Sequence, residues 1–382
     1  MSTSNNKLYY DASTKKFILN NINISYANAL RRSIISNIPV IGIRAESDDT
    51  NEGVHIEKNT SHFNNEIIKH RLSCIPIFIK SELIIFDDII KNISESKSYI
   101  EQLYEIYQKY EIRCNITNTS NSLINVTTDT FKVINTENGN EINISSMFNG
   151  DSVSGFKDKK SNDHILFLKL RPASDEKKEE ISFNTRLSIC YPSEDSVYNS
   201  VSVCSYEIQE ISSKKTDINF SDEEIYNYIF NIESVGVYTE KMIIKQACYY
   251  IIKKINELQQ MIDTENLIIR NGTTIETSFE FDIPNDNYTV GKLIEYELYN
   301  NFYNKKNEDG SSKFNLDNID ESQHVLNYIG YIKKHPHDNY GTIRYIIYNK
   351  DRSNELEKKN IYILLQKCFN IITSTFMNIQ NI

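Results

Sequence analysis

The chain has 382 residues with 42 basic and 52 acidic side chains, a formal net charge of −10, and at roughly 100–200 residues per domain it should hold two or three domains. Hydrophobic residues make up 39%, aromatic residues 11% and charged residues 25%, which excludes a disordered chain, and the acidic balance supplies no overall attraction to a phosphate backbone, so any work on nucleic acid passes through a partner. No stretch approaches the ~20 uninterrupted apolar residues of a membrane helix, and residues 1–7 are polar where a signal peptide needs an apolar core, so the expectation is an intracellular protein that meets no membrane.

The alternation of residues 8–19 about a polar turn predicts two short strands. Asn23 or Ser25 can cap a helix whose apolar positions Ala27, Leu30, Ile34, Ile35 and Ile38 fall three and four apart, stopped by Pro39, with Arg31 and Arg32 pointing away from that stripe. Residues 40–44 and 54–58 read as strands. A short helix over 64–72 turns Ile67, Ile68 and Leu72 to one side, and 84–110 reads as mostly helical. From Cys114 to Glu210 the pattern is β, with strands at 123–126, 131–134, 165–170, 181–190 and 201–208 and a polar loop at 151–162.

Residues 226–233 alternate as a strand and Gly236 supplies a turn. Thr239 is placed to cap a helix to about residue 262, striped by Ile243, Ile244, Ala247, Ile251, Ile255, Leu258 and Met261. Asn271-Gly272 predicts a hairpin turn between 267–270 and 276–283. Asp286 or Thr289 opens a helix carrying Leu293, Ile294 and Leu298, and an acidic loop covers 305–322. Strands at 325–332 and 342–349 flank His335-Pro336-His337-Asp338. A last helix spans about 353–380, striped by Leu356, Ile363, Leu364, Cys368, Ile371, Ile372 and Met377. A strand pair, an amphipathic helix and a long amphipathic helix thus occur twice, in 1–45 plus 220–262 and in 263–382, with 46–219 as a β-rich insertion. The fold class is α+β, and the surplus apolar stripes predict that the two halves dock on each other.

Catalytic signals are weak. The chain contains neither G-x-x-x-x-G-K-[ST] nor G-x-G-x-x-G, and its cysteines and histidines form no nucleophile-base arrangement. His335, His337 and Asp338 could ligate a metal, but a zinc site needs about four ligands from two clusters, and a turn between strands explains them as well. The short basic clusters Lys15-Lys16, 157–160 and Lys214-Lys215 fit solvated loops. The six cysteines lack any C-x-x-C and read as free thiols. What remains is the pair Arg31-Arg32, forked and always charged, able to meet a carboxylate-bearing partner.

Three segments in order, Asn23-Ile-Ser-Tyr-Ala-Asn28-Ala-Leu30-Arg31-Arg32 through Pro39, Ile56-Glu57-Lys-Asn59-Thr60, and Ile67-Ile-Lys-His70-Arg71-Leu72-Ser-Cys-Ile-Pro76, resemble the α-type assembly subunit of DNA-directed RNA polymerase, the eukaryotic third-largest or archaeal D subunit. Phe230-Asn-Ile-Glu233-Ser234-Val-Gly236 resembles its return segment. The run from Phe279 through Thr289-Val-Gly291-Lys-Leu293, followed by Gly330 to Pro336, resembles the smaller partner, the eleventh eukaryotic or archaeal L subunit. The resemblance implies a fusion of the two subunits of the polymerase assembly heterodimer, as large nucleocytoplasmic DNA viruses carry, with a virion and host-cytoplasm setting that the AT-rich codon bias of the residues fits.

That resemblance further implies a noncatalytic scaffold whose partners are the two large RNA polymerase subunits and small polymerase subunits, without sequence-specific nucleic-acid contact of its own. It places Asn28, Leu30, Arg31, Arg32, His70, Arg71 and Leu72 against the second-largest subunit. The pairing of the two halves falls to Ile244, Ile251, Ile255, Leu258, Leu293, Leu364, Ile371 and Ile372. Many relatives hold zinc or an iron-sulfur cluster in the inserted domain, but Cys74, Cys114, Cys190 and Cys204 have the wrong spacing, so no metal or other cofactor is expected. The rivals are a free-standing interaction scaffold of the same fold and a metal-dependent enzyme using His335, His337 and Asp338.

Overall fold

The computed structural model describes residues 8–11, 16–46, 52–77, 108–142, 156–157, 161, 163–174, 177–209, 225–272, 277–304, 325–348 and 354–380, with backbone alone at 225 and 354–359. In chain order the first elements are β1 (Leu8–Asp11), β2 (Lys16–Asn23), α1 (Ile24–Ser36), β3 (Val40–Ile43), β4 (Val54–Asn59), α2 (Asn65–Ser73), β5 (Tyr110–Thr117), β6 (Ile124–Thr127), β7 (Lys132–Asn135) and β8 (Glu141–Ile142). Then follow β9 (Leu166–Leu170), β10 (Glu180–Cys190), β11 (Val201–Gln209), β12 (Ile225–Ser234), α3 (Glu240–Asp263), β13 (Arg270–Asn271), β14 (Phe279–Pro284), α4 (Val290–Phe302), β15 (Leu326–Ile332), β16 (Tyr340–Ile347) and α5 (Asn354–Gln380). Of the helical stretch read over 84–110, residues 84–107 lie outside the described residues and Tyr110 opens β5 instead of ending a helix; the loop at 305–322 and most of the loop at 151–162 also lie outside them. Among the described residues no helix is long and apolar enough to cross a membrane.

Two compact units divide the chain, one drawn from residues 1–34, 203–232 and 244–382, the other from 35–202 and 233–243. The first unit repeats one plan. Its two four-stranded sheets run in the orders β1-β2-β12-β11 and β13-β14-β16-β15, so each copy reads strand, strand, helix, strand, strand, helix along the chain, and residues 37–200 stand between α1 and β11 of the first copy. The expected boundaries shift accordingly. β11, read as part of the insertion at 46–219, belongs to the first sheet. β3, read as part of the first half, pairs with β10 in the other unit. Alternation marks a strand but not its neighbour, which is why the sequence misplaced both.

Within each copy the side chains explain the layers. Phe279, Phe281 and Ile283 on β14 and Ile343, Tyr345 and Ile347 on β16 are buried, while Glu280, Asp282, Thr342 and Arg344 form hydrogen bonds on the opposite face, the period-2 pattern of a strand with two unlike faces. α4 packs on β15, β16 and α5. On α3, Ile243, Ile244, Ala247, Ile251, Ile255 and Leu258 are buried, joined by Cys248 and Ile252; Met261 is half-buried. At the hairpin the expected Asn271-Gly272 turn is displaced: Asn271 pairs with Phe279 inside the ladder, and the Gly272 N–H donates to the Ser278 carbonyl at 2.7 Å, so the connection is longer than two residues.

The last helix departs most from its predicted stripe. Leu364, Cys368 and Ile372 are buried, but so are Ile361, Leu365, Phe369, Phe376 and Ile379, whereas Ile363, Ile371 and Met377 are exposed at 42%, 36% and 37%. The described backbone places Ile361 to Leu365 as five successive large side chains, which wrap all round a helix at 100° per residue.

The second unit is built on a six-stranded sheet in which β10 pairs with β3, β4 and β5, with β7 and β8 continuing outward, beside the two-stranded sheet β6-β9. Its core centres on Phe131, whose ring lies 5.4 to 5.6 Å from those of Phe156, Phe167 and Phe183. The short helix α2 is capped by Asn64, whose Oδ1 accepts from the Ile67 N–H at 2.9 Å. It buries Ile68 and Leu72, but Ile67, expected on the same side, is 45% exposed.

Candidate functional site

The expected contact residues fall on α1 in one unit and α2 in the other, and each helix organises them differently. Asn23 caps α1, its Oδ1 accepting from the Ser25 N–H at 2.9 Å. One turn on, Asn28 Oδ1 accepts from Arg31 Nε at 3.2 Å and Nη2 at 3.1 Å, an i,i+3 pair that holds the guanidinium at the helix surface. Leu30 is 1% exposed. It belongs to the core, and its expected direct contact with a partner is corrected: a leucine in that position orients α1 from within.

Arg32 is committed internally. Its Nε donates to Thr289 Oγ1 at 3.1 Å and its Nη2 to the Asn287 carbonyl, so it clamps the C-terminal part of α1 to the loop that opens α4. That loop is itself a built structure. Asp286 caps α4, its two carboxylate oxygens accepting from the Val290 N–H at 2.8 Å and the Gly291 N–H at 3.1 Å, and Tyr331 donates to Asp286 Oδ2 at 2.5 Å. Burial, then the Asp286 carboxylate, push the Tyr331 hydroxyl far above its ordinary pKa, so it stays a donor. The alternatives left open by the sequence are resolved: Asp286 makes the capping bonds, and Thr289 makes none to the helix. Gly291 is required by packing, because a Cβ there would lie 2.0 Å from Tyr331 Cε2.

Further along, Tyr26 of α1 donates to Glu297 of α4 at 2.6 Å. Arg32 bonds to the loop that opens α4 and Tyr26 to Glu297 farther along it, so hydrogen bonds at two points tie α1 to α4. Ile244, Ile251, Ile255, Leu258, Leu293, Leu364 and Ile372 are all buried in this unit, and Ile371 is corrected to the exposed face described above.

On α2, His70 is exposed, and Leu72 is fully buried, so its expected surface role is corrected for the same reason as that of Leu30. Arg71 donates from Nε to the Phe167 carbonyl at 2.6 Å and its guanidinium lies over the Phe63 ring, 5.6 Å from the centroid.

His335-Pro336-His337-Asp338 closes a turn in which the His335 N–H donates to Asp338 Oδ2 at 3.0 Å and the His337 N–H to His335 Nδ1 at 3.2 Å. Among the described residues no group of three or more His, Cys, Asp or Glu side chains is arranged for a metal. Of the four cysteines in the expected insertion, Cys74 is exposed and Cys114, Cys190 and Cys204 are buried, all as free thiols. Burial pushes the thiols of Cys114 up to about 11, and of Cys190 and Cys204 to about 12, so these free thiols stay protonated near neutral pH.

Against this geometry stand the comparisons with known proteins. The pattern of the RNA polymerase Rpb3/Rpb11 dimerisation domain matches residues 16–255, well over half of the chain. The chain belongs to the RNA polymerase Rpb3/Rpb11 dimerisation domain family. It is similar to DNA-directed RNA polymerases II, IV and V subunit 3 of Arabidopsis thaliana, 44% identical over 62 residues that cover 16% of this chain and 17% of that protein. DNA-directed RNA polymerase subunit Rpo3 of Pyrococcus furiosus is 37% identical over 62 residues, 16% of this chain and 21% of its own length. The Rpo3 subunit of Methanocaldococcus jannaschii is 39% identical over 67 residues, 16% and 31%. The matched stretches thus span less than a third of each of these relatives. In this Rpb3/Rpb11-type chain the family match runs from β2 into α3 and ends before the second copy of the sheet-and-helix plan.

Proposed function

We propose that this chain is the assembly scaffold of a multisubunit DNA-directed RNA polymerase, carrying both halves of the dimerisation pair in one polypeptide and leaving nucleotidyl transfer to the two large subunits it brings together. The observation that carries the reading is the repeated plan: the family match covers the first copy from β2 into α3, and a second copy of identical strand order follows it in the same unit. α3 ends at Asp263 and β13 begins at Arg270, so the pairing is intramolecular, with an effective concentration in about the millimolar range for a short tether. Arg32, Thr289, Tyr26 and Glu297 hold the two helices of the pair together. Asn28 and Arg31 on α1, and His70 and Arg71 on α2, are the polar groups offered to the second-largest subunit, with small polymerase subunits as further partners.

The fused pair and the residue bias together support a large nucleocytoplasmic DNA virus as the source, and with it the virion and host cytoplasm as the place of action. The test is purification of the tagged chain from its native source followed by mass spectrometry of what accompanies it. Both large polymerase subunits should be recovered in stoichiometric amounts. Recovery without either of them rejects the polymerase role.

A further inference from the structure

A cleft of about 420 Å³ opens in the unit drawn from residues 35–202 and 233–243, within the ~300–1,000 Å³ range of ligand-sized sites. Its apolar lining is Phe63, Leu123, Leu166 and Leu168. Leu123 and Leu166 are 51% and 38% exposed, so apolar surface stays in water at its edge. The polar lining is basic: His62, Arg71, Lys169 and Arg171. Arg171 is paired with Glu179 at 2.5 Å. The terminal nitrogens of Arg71 and the ammonium of Lys169 have no hydrogen-bond partner among the described residues. Two cations with no salt-bridge partner among the described residues therefore border an apolar trough on a chain whose net charge is −10.

We propose that this cleft binds an acidic peptide segment, presented by another protein, that carries bulky aliphatic or aromatic side chains. The occupant's apolar groups would cover Leu123 and Leu166, a gain of about 25 cal/mol per Å² buried. Its carboxylates would meet Arg71 and Lys169 against low-dielectric walls, where charge pairs are stronger than on an open surface, and the arginine fork suits a carboxylate. A nucleic-acid strand fits poorly, because unspecific strand binding needs free aromatic faces for base stacking. Phe63 has the His62 ring 4.1 Å away and the Arg71 guanidinium 5.6 Å from its centre. The cleft shares Arg71 with the surface proposed for the second-largest subunit, but Leu123 and Lys169, which the test changes, lie outside that surface, so failure here leaves the polymerase role standing.

The test pans the immobilised full chain against displayed random twelve-residue peptides, then measures the best peptide, fluorescein-labelled, by anisotropy. The expected result is enrichment of peptides rich in Asp and Glu with Leu, Ile or Phe. Binding should fall at least tenfold in Leu123→Asp and in Lys169→Glu, and also at 0.5 M salt. Both side chains are exposed and neither forms a hydrogen bond among the described residues, and thermal melting of each variant verifies that the fold is kept. No enrichment, enrichment of neutral or basic peptides, or binding indifferent to both substitutions overturns the proposal. So does labelled oligo(dT) binding that the same two substitutions abolish.

Discussion

Tyr26 and Glu297, 271 residues apart in the chain, share a buried hydrogen bond of 2.6 Å, the tyrosine hydroxyl donating to the carboxylate. Both are almost inaccessible, at 4% and 5%, and Asn301 Nδ2 donates to the second carboxylate oxygen at 2.7 Å. Burial first and Glu297 second push the Tyr26 pKa far above its ordinary value, so the donor persists across any working pH. A buried bond to a charged acceptor contributes about 1.5–3 kcal/mol. Tyr26→Phe should therefore lower the unfolding free energy by about that amount in urea titrations, and a double-mutant cycle with Glu297→Gln should give a coupling of at least about 0.5 kcal/mol. A coupling near zero would mean the bond does not join the helices.

The adjacent arginines should behave oppositely. Arg32 bonds across to Thr289 and Asn287, whereas Arg31 bonds only to Asn28 on its own helix among the hydrogen bonds resolved here. Arg32→Glu should destabilise the isolated chain by about 1–3 kcal/mol, since it removes two charge-assisted bonds and sets a carboxylate against a carbonyl. Arg31→Glu should leave the melting temperature within about 2 °C while reducing recovery of the second-largest subunit in pull-downs. Equal melting losses in both variants would remove the distinction.

Gly291 and Tyr331 are matched in shape. A methyl at Gly291 would overlap the Tyr331 ring, and one at Gly341 would lie 1.9 Å from its hydroxyl. Overpacking of this kind costs about 1–3 kcal/mol. Gly291→Ala should show that loss in thermal denaturation, and Tyr331→Leu in the same chain should recover part of it by vacating the ring's space, despite removing the Asp286 bond. If the double variant is no better than the sum of the two losses, the clash is not the cause.

What could be read from the sequence was whatever is decided locally. The β1–β2 hairpin, the start of α1 within Asn23 to Ser25, the start of α4 within Asp286 to Thr289 and the stripe of α3 each depend on residues within a few positions of one another. Contacts set at long range were not legible. Nothing near Arg32 announces that its partner is residue 289, and the alternation of β11 says nothing of β12 as its neighbour. Motif membership also misled at Leu30 and Leu72. Within a segment that resembles an interface helix, the polar positions reach the surface and the leucines hold the helix down, and only burial separates them. On α5, apolar residues on all sides erased the periodicity that would have told Ile371 from Ile372.

The outer face of the second sheet gives a prediction in pH. The Glu280 side chain is fully buried, yet Arg344 Nε donates to it at 2.7 Å and Lys334 lies at 3.4 Å; Asp282 accepts from Arg270 and from Thr342 at 2.7 Å each. Burial alone would raise both carboxyls, but the cations and the hydroxyl outweigh it and hold both below their ordinary values of 4.5 and 3.8. A carboxyl with a lower pKa folded than unfolded contributes stability that is complete above its ordinary value and is lost as pH falls through the folded one. Urea midpoints should therefore hold from pH 7 to about 5 and decline below about 4.5. Arg344→Gln removes the strongest donor to Glu280, so it should lower the midpoint at pH 7 and flatten the decline between pH 4.5 and 3. An acid slope unchanged in that variant would place the acid sensitivity of the fold elsewhere than in Glu280.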